Sequence, residues 1–170
     1  MEICEIKNFS SSYLLLSRNL NILIDTSYDL KARKIIEEIE KRKIEKLDYI
    51  IITHGHSDHI RGTYSILSYF DFKPKVLCHE FERKYVEGIR FLERNSKEKI
   101  FKPKVNKIFA YGIENEKYNI SKNIEIIHTP GHTDGSISVY IKNDSIFVGD
   151  LLIRNKFGTL DISEEINSNI

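Results

Sequence analysis

Four residues with metal-binding side chains lie within six consecutive positions, about one third of the way along the chain. They are His54, His56, Asp58 and His59, and Gly55 separates the first two. Imidazole and carboxylate groups bind borderline cations such as zinc. A glycine between two histidines lets the chain turn tightly, so both imidazoles can face one point. The spacing therefore predicts a metal site, although a pair of histidines on a loop is often only a solvated polar pair.

A short apolar segment, residues 49–52, directly precedes these ligands. Its β-branched and aromatic side chains predict a buried strand. In an open α/β sheet, ligands bind in the crevice outside the carboxyl ends of the strands. Asp58 and His59 open a predicted helix over about residues 60–70, in which Gly62 allows close packing against the sheet. The sequence thus places the candidate ligands at a strand end that borders a crevice.

Two later segments carry the other candidate ligands. Residues 129–136 form a predicted turn, whose backbone is fixed by a proline and a glycine and which presents His132. Asp150 follows a predicted strand at 145–148, much as His54 follows its own strand. We therefore expect three strand-end loops to meet at one edge of the fold.

Metal-assisted hydrolysis is the chemistry that such a set of side chains suggests. The candidate ligands are His54, His56, Asp58, His59, His132 and Asp150. Three histidines and a carboxylate could surround one cation, leaving Asp58 and His59 for a second, with Asp150 bridging the two. Two metals about 3.5–4 Å apart can share a hydroxide and polarise a carbonyl. Zinc brings the pKa of bound water to about 7, so no serine or cysteine nucleophile is needed.

The remaining polar candidates have structural explanations as well. Asp25 ends an early predicted strand, where it could cap the following helix or accept a hydrogen bond from a metal-bound imidazole. We interpret His79 as a surface or capping residue and His128 as a histidine packed beneath the site. Cys4 and Cys78 fall in predicted strands and suit buried thiols in a reducing compartment.

Composition limits the class of protein. The chain has 170 residues with a formal net charge of +1, which is enough for one domain, residues 1–170, and argues against a dedicated nucleic-acid binder. No apolar segment is long enough to cross a membrane. The first residues carry an early acid and no continuous apolar stretch, so we expect no secretory signal and a cytoplasmic location. The expected partner is a small-molecule substrate; the sequence does not define an oligomer.

Hydrophobic periodicity predicts the supporting elements. A charged amphipathic helix is predicted over residues 29–46, and an antiparallel meander precedes it. The other predicted helix spans 80–95, with Phe81, Tyr85, Ile89 and Leu92 facing inward. The predicted strands cover residues 2–8, 13–17, 21–25, 48–52, 75–78, 124–127, 137–141 and 145–148.

Residues 96–122 show no clear periodicity and contain a lysine-rich run. We interpret that run as a solvated loop or edge strand, and contact with an anionic substrate is the alternative. The lysines and nearby aromatic residues are Lys97, Lys99, Lys102, Lys104, Lys107, Phe101 and Phe109.

The motifs resemble those of the metallo-β-lactamase superfamily. Residues 54–59 fit its His-x-His-x-Asp-His motif, and residues 129–136 look like its Thr-Pro-Gly-His-Thr segment. Residues 149–150 look like its bridging aspartate, and residues 25–27 resemble its Asp-Thr-Gly with serine in place of the glycine. The resemblance runs from about residue 10 to about residue 161.

This resemblance implies an αββα four-layer sandwich, with the C-terminal part shortened and a di-metal site on one edge. Family members usually continue beyond the bridging aspartate to a further histidine that completes the second metal site, whereas this chain has no histidine after His132. Glyoxalase II-type thioesterases are nearest in motif style, but residues 158–161 lack the arginine of their Gly-Arg-x-Asp segment. One or two zinc ions are implied, with iron or manganese as alternatives.

The favoured function is therefore a metal-dependent hydrolase of a small thioester, ester or lactone, acting through a metal-bound hydroxide with Asp58 orienting the water. An alternative is an oxidoreductase resembling persulfide dioxygenases, with one iron(II) held by His54, His132 and Asp150. A degenerate, non-catalytic metal-binding member is another. A nuclease of the same superfamily is less favoured because of the charge balance.

Overall fold

Two stacked β-sheets and a layer of helices build the frame around the candidate site. The computed structural model describes residues 1–88, 108–154 and 160–162. Its strands are β1 (Glu2–Ile6), β2 (Ser12–Leu16), β3 (Asn21–Ile24), β4 (Tyr49–Ile51), β5 (Lys75–His79), β6 (Ala110–Ile113), β7 (Lys117–Ser121), β8 (Ile124–His128), β9 (Ile137–Ile141), β10 (Ser145–Phe147), β11 (Leu152–Arg154) and β12 (Leu160–Ile162). Its helices are α1 (Arg33–Lys41), α2 (Ser57–Ile60), α3 (Thr63–Tyr69) and α4 (Arg83–Val86), and 3-10 turns cover Glu80–Glu82 and Gly149–Leu151.

The larger sheet has six strands in the order β1-β2-β3-β4-β5-β6. The first three form the predicted antiparallel meander, and β3 to β6 run parallel. Parallel strands end at the same edge of a sheet, so the segments after β3, β4 and β5 emerge side by side. This edge carries Asp25, His54 and Glu82 on successive connections.

The second sheet is antiparallel, with the order β10-β9-β8-β7, and it packs on one face of the first. The apolar layer between the two sheets includes Leu15, Ile24 and Ile51 from the first sheet and Ile126 and Val139 from the second, all of them buried. Burial of these β-branched and leucine side chains is the main force holding the sheets together. β11 and β12 form a separate two-stranded sheet.

Helices cover the other face of the six-stranded sheet. Ile35 and Ile39 of α1, Ile66 of α3 and Val86 of α4 are buried in a second apolar cluster with residues of the larger sheet. The layers in the described ranges are thus helix, sheet and sheet, and no helix of those ranges lies over the outer face of the second sheet. None of the helices in the ranges that the structure covers is both long and apolar enough to span a membrane.

Several predicted boundaries were wrong. The helix predicted over 29–46 begins only at Arg33, because Asp29 accepts backbone hydrogen bonds from Lys31 and Arg33 and closes a loop first. The helix predicted over 60–70 is instead two short helices, α2 and α3, and the first includes His59. β6 and β7 occupy a segment in which no strand was predicted, because their short apolar stretches alternate with glycine and polar residues.

The helix predicted over 80–95 differs at its start. A 3-10 turn precedes α4, and Phe81 is 61% exposed, whereas Glu82 is 2% exposed. The prediction that Phe81 faces inward was therefore wrong, and a carboxylate takes the inward position. Tyr85 packs against the core as predicted. Ile89, Leu92 and the lysines at 97–107 lie outside the described residues.

Candidate metal centre

Thr53 fixes the point at which the chain leaves β4 and enters the histidine loop. Its N–H and its hydroxyl donate to the two oxygens of Asp25, each at 2.8 Å. Its carbonyl accepts the N–H of Ile137 at 2.9 Å, which joins this loop to the start of β9 in the other sheet. His54 follows directly and is 1% exposed. The imidazole of His54 therefore lies at the base of the site, between the two sheets.

Three imidazoles converge beside this point. His56 Nδ1 lies 3.0 Å from His54 Nε2 and 2.8 Å from His132 Nε2. The ligand atoms of the three lie within 4.8 Å of one another. A neutral imidazole nitrogen has one proton or one lone pair to share, so three convergent nitrogens suit a shared cation better than mutual hydrogen bonds. Such a set of histidines is one that zinc prefers.

A second group of ligand atoms is formed by His54, His59 and Asp150. His59 Nδ1 lies 2.8 Å from Asp25 Oδ2. His59 Nε2 is buried and makes no hydrogen bond, although Asp150 Oδ1 is 3.3 Å away and Asp58 Oδ2 is 3.8 Å away. A buried polar atom is normally satisfied. An unpartnered nitrogen that faces two carboxylates therefore fits a cation, and the residues present suit a divalent metal.

The charges of the protein without metal reflect the same arrangement. Burial, followed by the neighbouring imidazoles, lowers the pKa of His54 well below its usual value, and burial and His132 lower the pKa of His56 to about 4. Burial also lowers the pKa of His59, but the carboxylates of Asp25 and Asp150 outweigh it and raise that pKa to about 10. The centre thus combines two neutral imidazoles, which can donate lone pairs, with a third position, that of His59, at which the surrounding carboxylates stabilise a positive charge.

The second sheet supplies the other side of the centre. The turn that carries His132 is closed by backbone hydrogen bonds from Thr129 N–H to Ser136 O at 2.9 Å and from Ser136 N–H to Thr133 O at 3.2 Å. Asp150 follows Gly149, whose φ of 56° and close approach to Thr53 exclude a Cβ: one would lie 2.7 Å from Thr53 Oγ1. Burial raises the pKa of Asp150, but the neighbouring His59 imidazole, whose Nε2 lies 3.3 Å from Asp150 Oδ1, outweighs it and lowers the pKa.

The structure brings together five of the six candidate ligands. His54, His56 and His132 form one group, and His54, His59 and Asp150 form the other. Asp58 belongs to neither group: its carboxylate lies beside His59 and is 18% exposed. Metal binding by these residues stays a prediction, which the experiments below test.

The other polar candidates have clear positions. Of the two roles weighed for Asp25, the structure gives it that of hydrogen-bond acceptor for His59. His79 caps the 3-10 turn, since its Nδ1 accepts the N–H of Phe81 at 3.3 Å, but it is 3% exposed and not on the surface. His128 stacks on His79 with ring centroids 4.0 Å apart. Cys78 is a buried core thiol, as predicted, whereas Cys4 is only partly buried.

Sequence reasoning missed two residues that support the centre. Glu82 accepts hydrogen bonds from Gly55 N–H at 2.8 Å and from Gly135 N–H at 3.0 Å. Ser10 donates its hydroxyl to the carbonyl oxygen of Asp58. No sequence signal distinguishes Glu82 from the other acids of its segment, and Ser10 lies in an unremarkable polar turn.

Comparisons with known proteins agree with this geometry. Residues 7–168 match the sequence profile of the metallo-beta-lactamase superfamily. A probable metallo-hydrolase of Methanocaldococcus jannaschii is 35% identical over 90% of this chain and 72% of its own length. A probable hydroxyacylglutathione hydrolase of Schizosaccharomyces pombe is 30% identical over 86% of this chain. The chain spans 50% of the length of that protein and 51% of the length of a hydroxyacylglutathione hydrolase of Buchnera aphidicola.

Solved structures share the fold. The B3 metallo-beta-lactamase BLEG-1 superimposes with a TM-score of 0.69 at 21% identity, covering 97% of this chain and 80% of its own. The protein TTHA1623, solved in a di-iron-bound form, gives 0.69 at 20% identity over 96% of this chain and 76% of its own. These matches confirm the predicted fold. The stacked sheets, the convergent histidines and the match over nearly the whole sequence lead to one assignment: the chain belongs to the metallo-beta-lactamase superfamily.

Proposed function

We propose that the protein is a metal-dependent hydrolase that cleaves a small thioester, ester or lactone. One observation carries this proposal: two groups of potential ligand atoms share His54. The first group consists of three imidazoles, and the second includes the carboxylate of Asp150. We assign the first ion to His54, His56 and His132, and a second to His59 and Asp150. Asp58, which lies outside both groups but has its Oδ2 3.8 Å from His59 Nε2, is the further ligand that we propose for the second ion. A divalent metal held there would polarise the substrate carbonyl and make water nucleophilic at neutral pH.

The side chains of the centre differ in how deeply they are buried. His54 and His59 are almost fully buried, whereas His56, His132 and Asp150 are partly exposed, so the centre opens to solvent on one side. A substrate can therefore approach from that side. Asp58 is partly exposed and lies beside His59, where its carboxylate can accept a proton from the attacking water.

Within this class we favour a thioester. Two relatives that are 30% and 31% identical to this chain are named as a probable hydroxyacylglutathione hydrolase and a hydroxyacylglutathione hydrolase. A hydroxyacylglutathione is a thioester. Zinc is the metal that the histidine-rich set favours, with iron or manganese as alternatives. The cytoplasmic location stays a prediction from the sequence.

Metal analysis combined with a substrate panel tests the proposal. Protein loaded with zinc is expected to hydrolyse at least one member of a panel of glutathione thioesters, aryl esters and lactones. His56→Ala and Asp58→Asn are expected to lower the rate by at least about 100-fold, since each removes a ligand or the proton acceptor. Asp71→Asn, which removes an exposed carboxylate outside the centre, is the matched control and is expected to keep the wild-type rate.

Two outcomes would contradict the hydrolase. One is zinc-loaded wild-type protein that turns over no member of the panel, which would favour a non-catalytic metal-binding protein. The other is purified protein that contains about one iron per chain and consumes oxygen with glutathione persulfide. That result would favour the oxidoreductase.

A further inference from the structure

Glu82 joins the two loops that carry the histidines of the first group. Its Oε2 accepts the N–H of Gly55, which lies between His54 and His56 in the chain. Its Oε1 accepts the N–H of Gly135, three residues after His132. Each oxygen of one carboxylate therefore holds one loop. The first loop extends from the six-stranded sheet and the second from the four-stranded sheet.

This carboxylate is buried without an opposite charge. Glu82 is 2% exposed, and no ion pair involves it within the described ranges 1–88 and 108–154. Burying a carboxylate without a cation is costly unless its oxygens are hydrogen-bonded. The bonds from the two loops provide that compensation. An apolar side chain in the same place would leave the N–H groups of Gly55 and Gly135 without an acceptor, so the carboxylate has value here as the acceptor for these two groups.

The two glycines are adapted to this contact. A Cβ at position 55 would lie 2.5 Å from Glu82 Oε2, and a Cβ at position 135 would lie 2.6 Å from Glu82 Cγ. Neither glycine has a positive φ, so close approach and not backbone conformation excludes a side chain: that of Glu82 at both positions, and at position 55 also that of Tyr85, whose Cβ would lie 2.8 Å away. The loops and Glu82 therefore fit one another as a unit.

We infer that Glu82 is a positioning residue that sets the separation of the two histidine loops and so tunes metal affinity. His56 Nδ1 and His132 Nε2 lie 2.8 Å apart although they come from different loops, and a small change in loop separation would pull them apart. Residues behind the ligands that orient them typically change metal affinity 10- to 100-fold when mutated. The inference rests on the proposed metal centre.

Glu82→Gln is the most conservative test. Glutamine keeps the size of the side chain but offers one acceptor oxygen and one NH₂ group, so one of the two loop N–H groups would face another donor. We expect cobalt(II), titrated into metal-free protein, to bind about 10- to 100-fold more weakly to the variant, with altered ligand-field absorption bands. Glu80→Gln is the matched control: Glu80 lies on the same turn and pairs with Arg83 at the surface, so a change below about twofold is expected.

A double-mutant cycle separates positioning from general loss of stability. Gly135→Ala is expected to weaken cobalt binding in the wild-type background, because the new Cβ would displace Glu82. In the Glu82→Ala protein, the Glu82 atoms that the new Cβ at position 135 would meet are absent. Gly135→Ala should therefore weaken cobalt binding little further in that background. Additive losses would show that the two residues act independently and would overturn the inference.

Wild-type protein gives a third readout that needs no variant. Both glycine amides donate to the same buried carboxylate, so we expect both to exchange slowly with deuterium in metal-free protein. Rapid exchange at either amide would overturn the inference, as would folded Glu82→Gln protein with the wild-type cobalt affinity and spectrum. Wild-type protein that binds no cobalt would instead remove the metal centre itself, so the two failures are distinguishable.

Discussion

Asp25 shows how one side chain can position both the start of the histidine loop and a candidate ligand. Its carboxylate accepts the N–H and hydroxyl of Thr53 and lies 2.8 Å from His59 Nδ1, and it is 3% exposed. A proton on Nδ1 that is shared with Asp25 leaves the lone pair of Nε2 free for a metal. Asp25 also adopts a φ of 56°, which aspartate and asparagine tolerate better than most residues. The residue therefore combines a backbone role with control of the tautomer of His59.

Asp25→Asn is expected to lower zinc affinity by about 10- to 100-fold while the protein stays folded. Its amide oxygen must face the Thr53 N–H, so its NH₂ would donate to His59 Nδ1 and shift the imidazole proton onto Nε2. Competition with a chromophoric chelator measures the change. Asp48→Asn is the control, since Asp48 accepts the N–H of Asn21 at 2.9 Å and contacts no predicted ligand. Unchanged affinity in Asp25→Asn would rule out control of the tautomer.

At the scale of elements, the junction of α2 and α3 determines where His59 lies. Thr26 N–H and Thr26 Oγ1 donate to the carbonyl of His59 at 2.7 and 2.9 Å, which ties α2 to the segment after β3. Gly62, the N-cap residue of α3, packs on the same segment. A Cβ there would overlap the Thr26 carbonyl oxygen and lie 3.0 Å from Ala32 Cβ. Close packing of backbone on backbone thus holds in place the helix that carries Asp58 and His59.

Gly62→Ala is expected to destabilise the protein by about 1–3 kcal/mol, the usual cost of overpacking a tight contact. The φ of Gly62 is −77°, so the cost is steric and not conformational. Urea unfolding measures it. Ser68→Ala, on the exposed face of α3, is the control and should change the free energy of unfolding by no more than about 0.5 kcal/mol. A fully stable Gly62→Ala protein would show that the junction can relax without cost.

At the scale of the whole molecule, the candidate centre joins the two sheets. His54, His56 and His59 follow β4 of the larger sheet, whereas His132 and Asp150 come from connections of the smaller one. A metal held by both sets would bind the folded chain far more tightly than the unfolded chain. Such a ligand adds to the free energy of unfolding by mass action.

Zinc at about 100 times its dissociation constant is therefore expected to stabilise the protein by about 2.7 kcal/mol, and a chelator should reverse the effect. Thermal unfolding with and without zinc measures this gain. His132→Ala removes the only histidine that the smaller sheet contributes to the candidate centre, so it should reduce the gain strongly while leaving metal-free stability nearly unchanged. Equal stability of the wild-type protein with and without zinc would argue against a metal that bridges the sheets.

Prediction from the sequence was most reliable where the signal was local. The meander, β4, β5, β8 and β9 were predicted within one or two residues because short β-branched segments between turn residues are distinctive. The helices were less well predicted, since α1 starts only after a loop that Asp29 closes. Phe81 was placed inward because it shares the helical spacing of the apolar residues that follow it, but a 3-10 turn rotates it outward and Glu82 inward.

The sequence by itself determined the chemical identity of the centre: which side chains can bind a metal, and that they follow strand ends. That information is local, because ligand type and spacing do not depend on distant parts of the chain. The tertiary structure decided that His54 belongs to both ligand groups, that Asp58 stands beside them, and that Glu82 holds the two loops. These features depend on contacts between residues far apart in the chain, such as His56 and His132, which are 76 positions apart, so only the folded chain with its two packed sheets creates them.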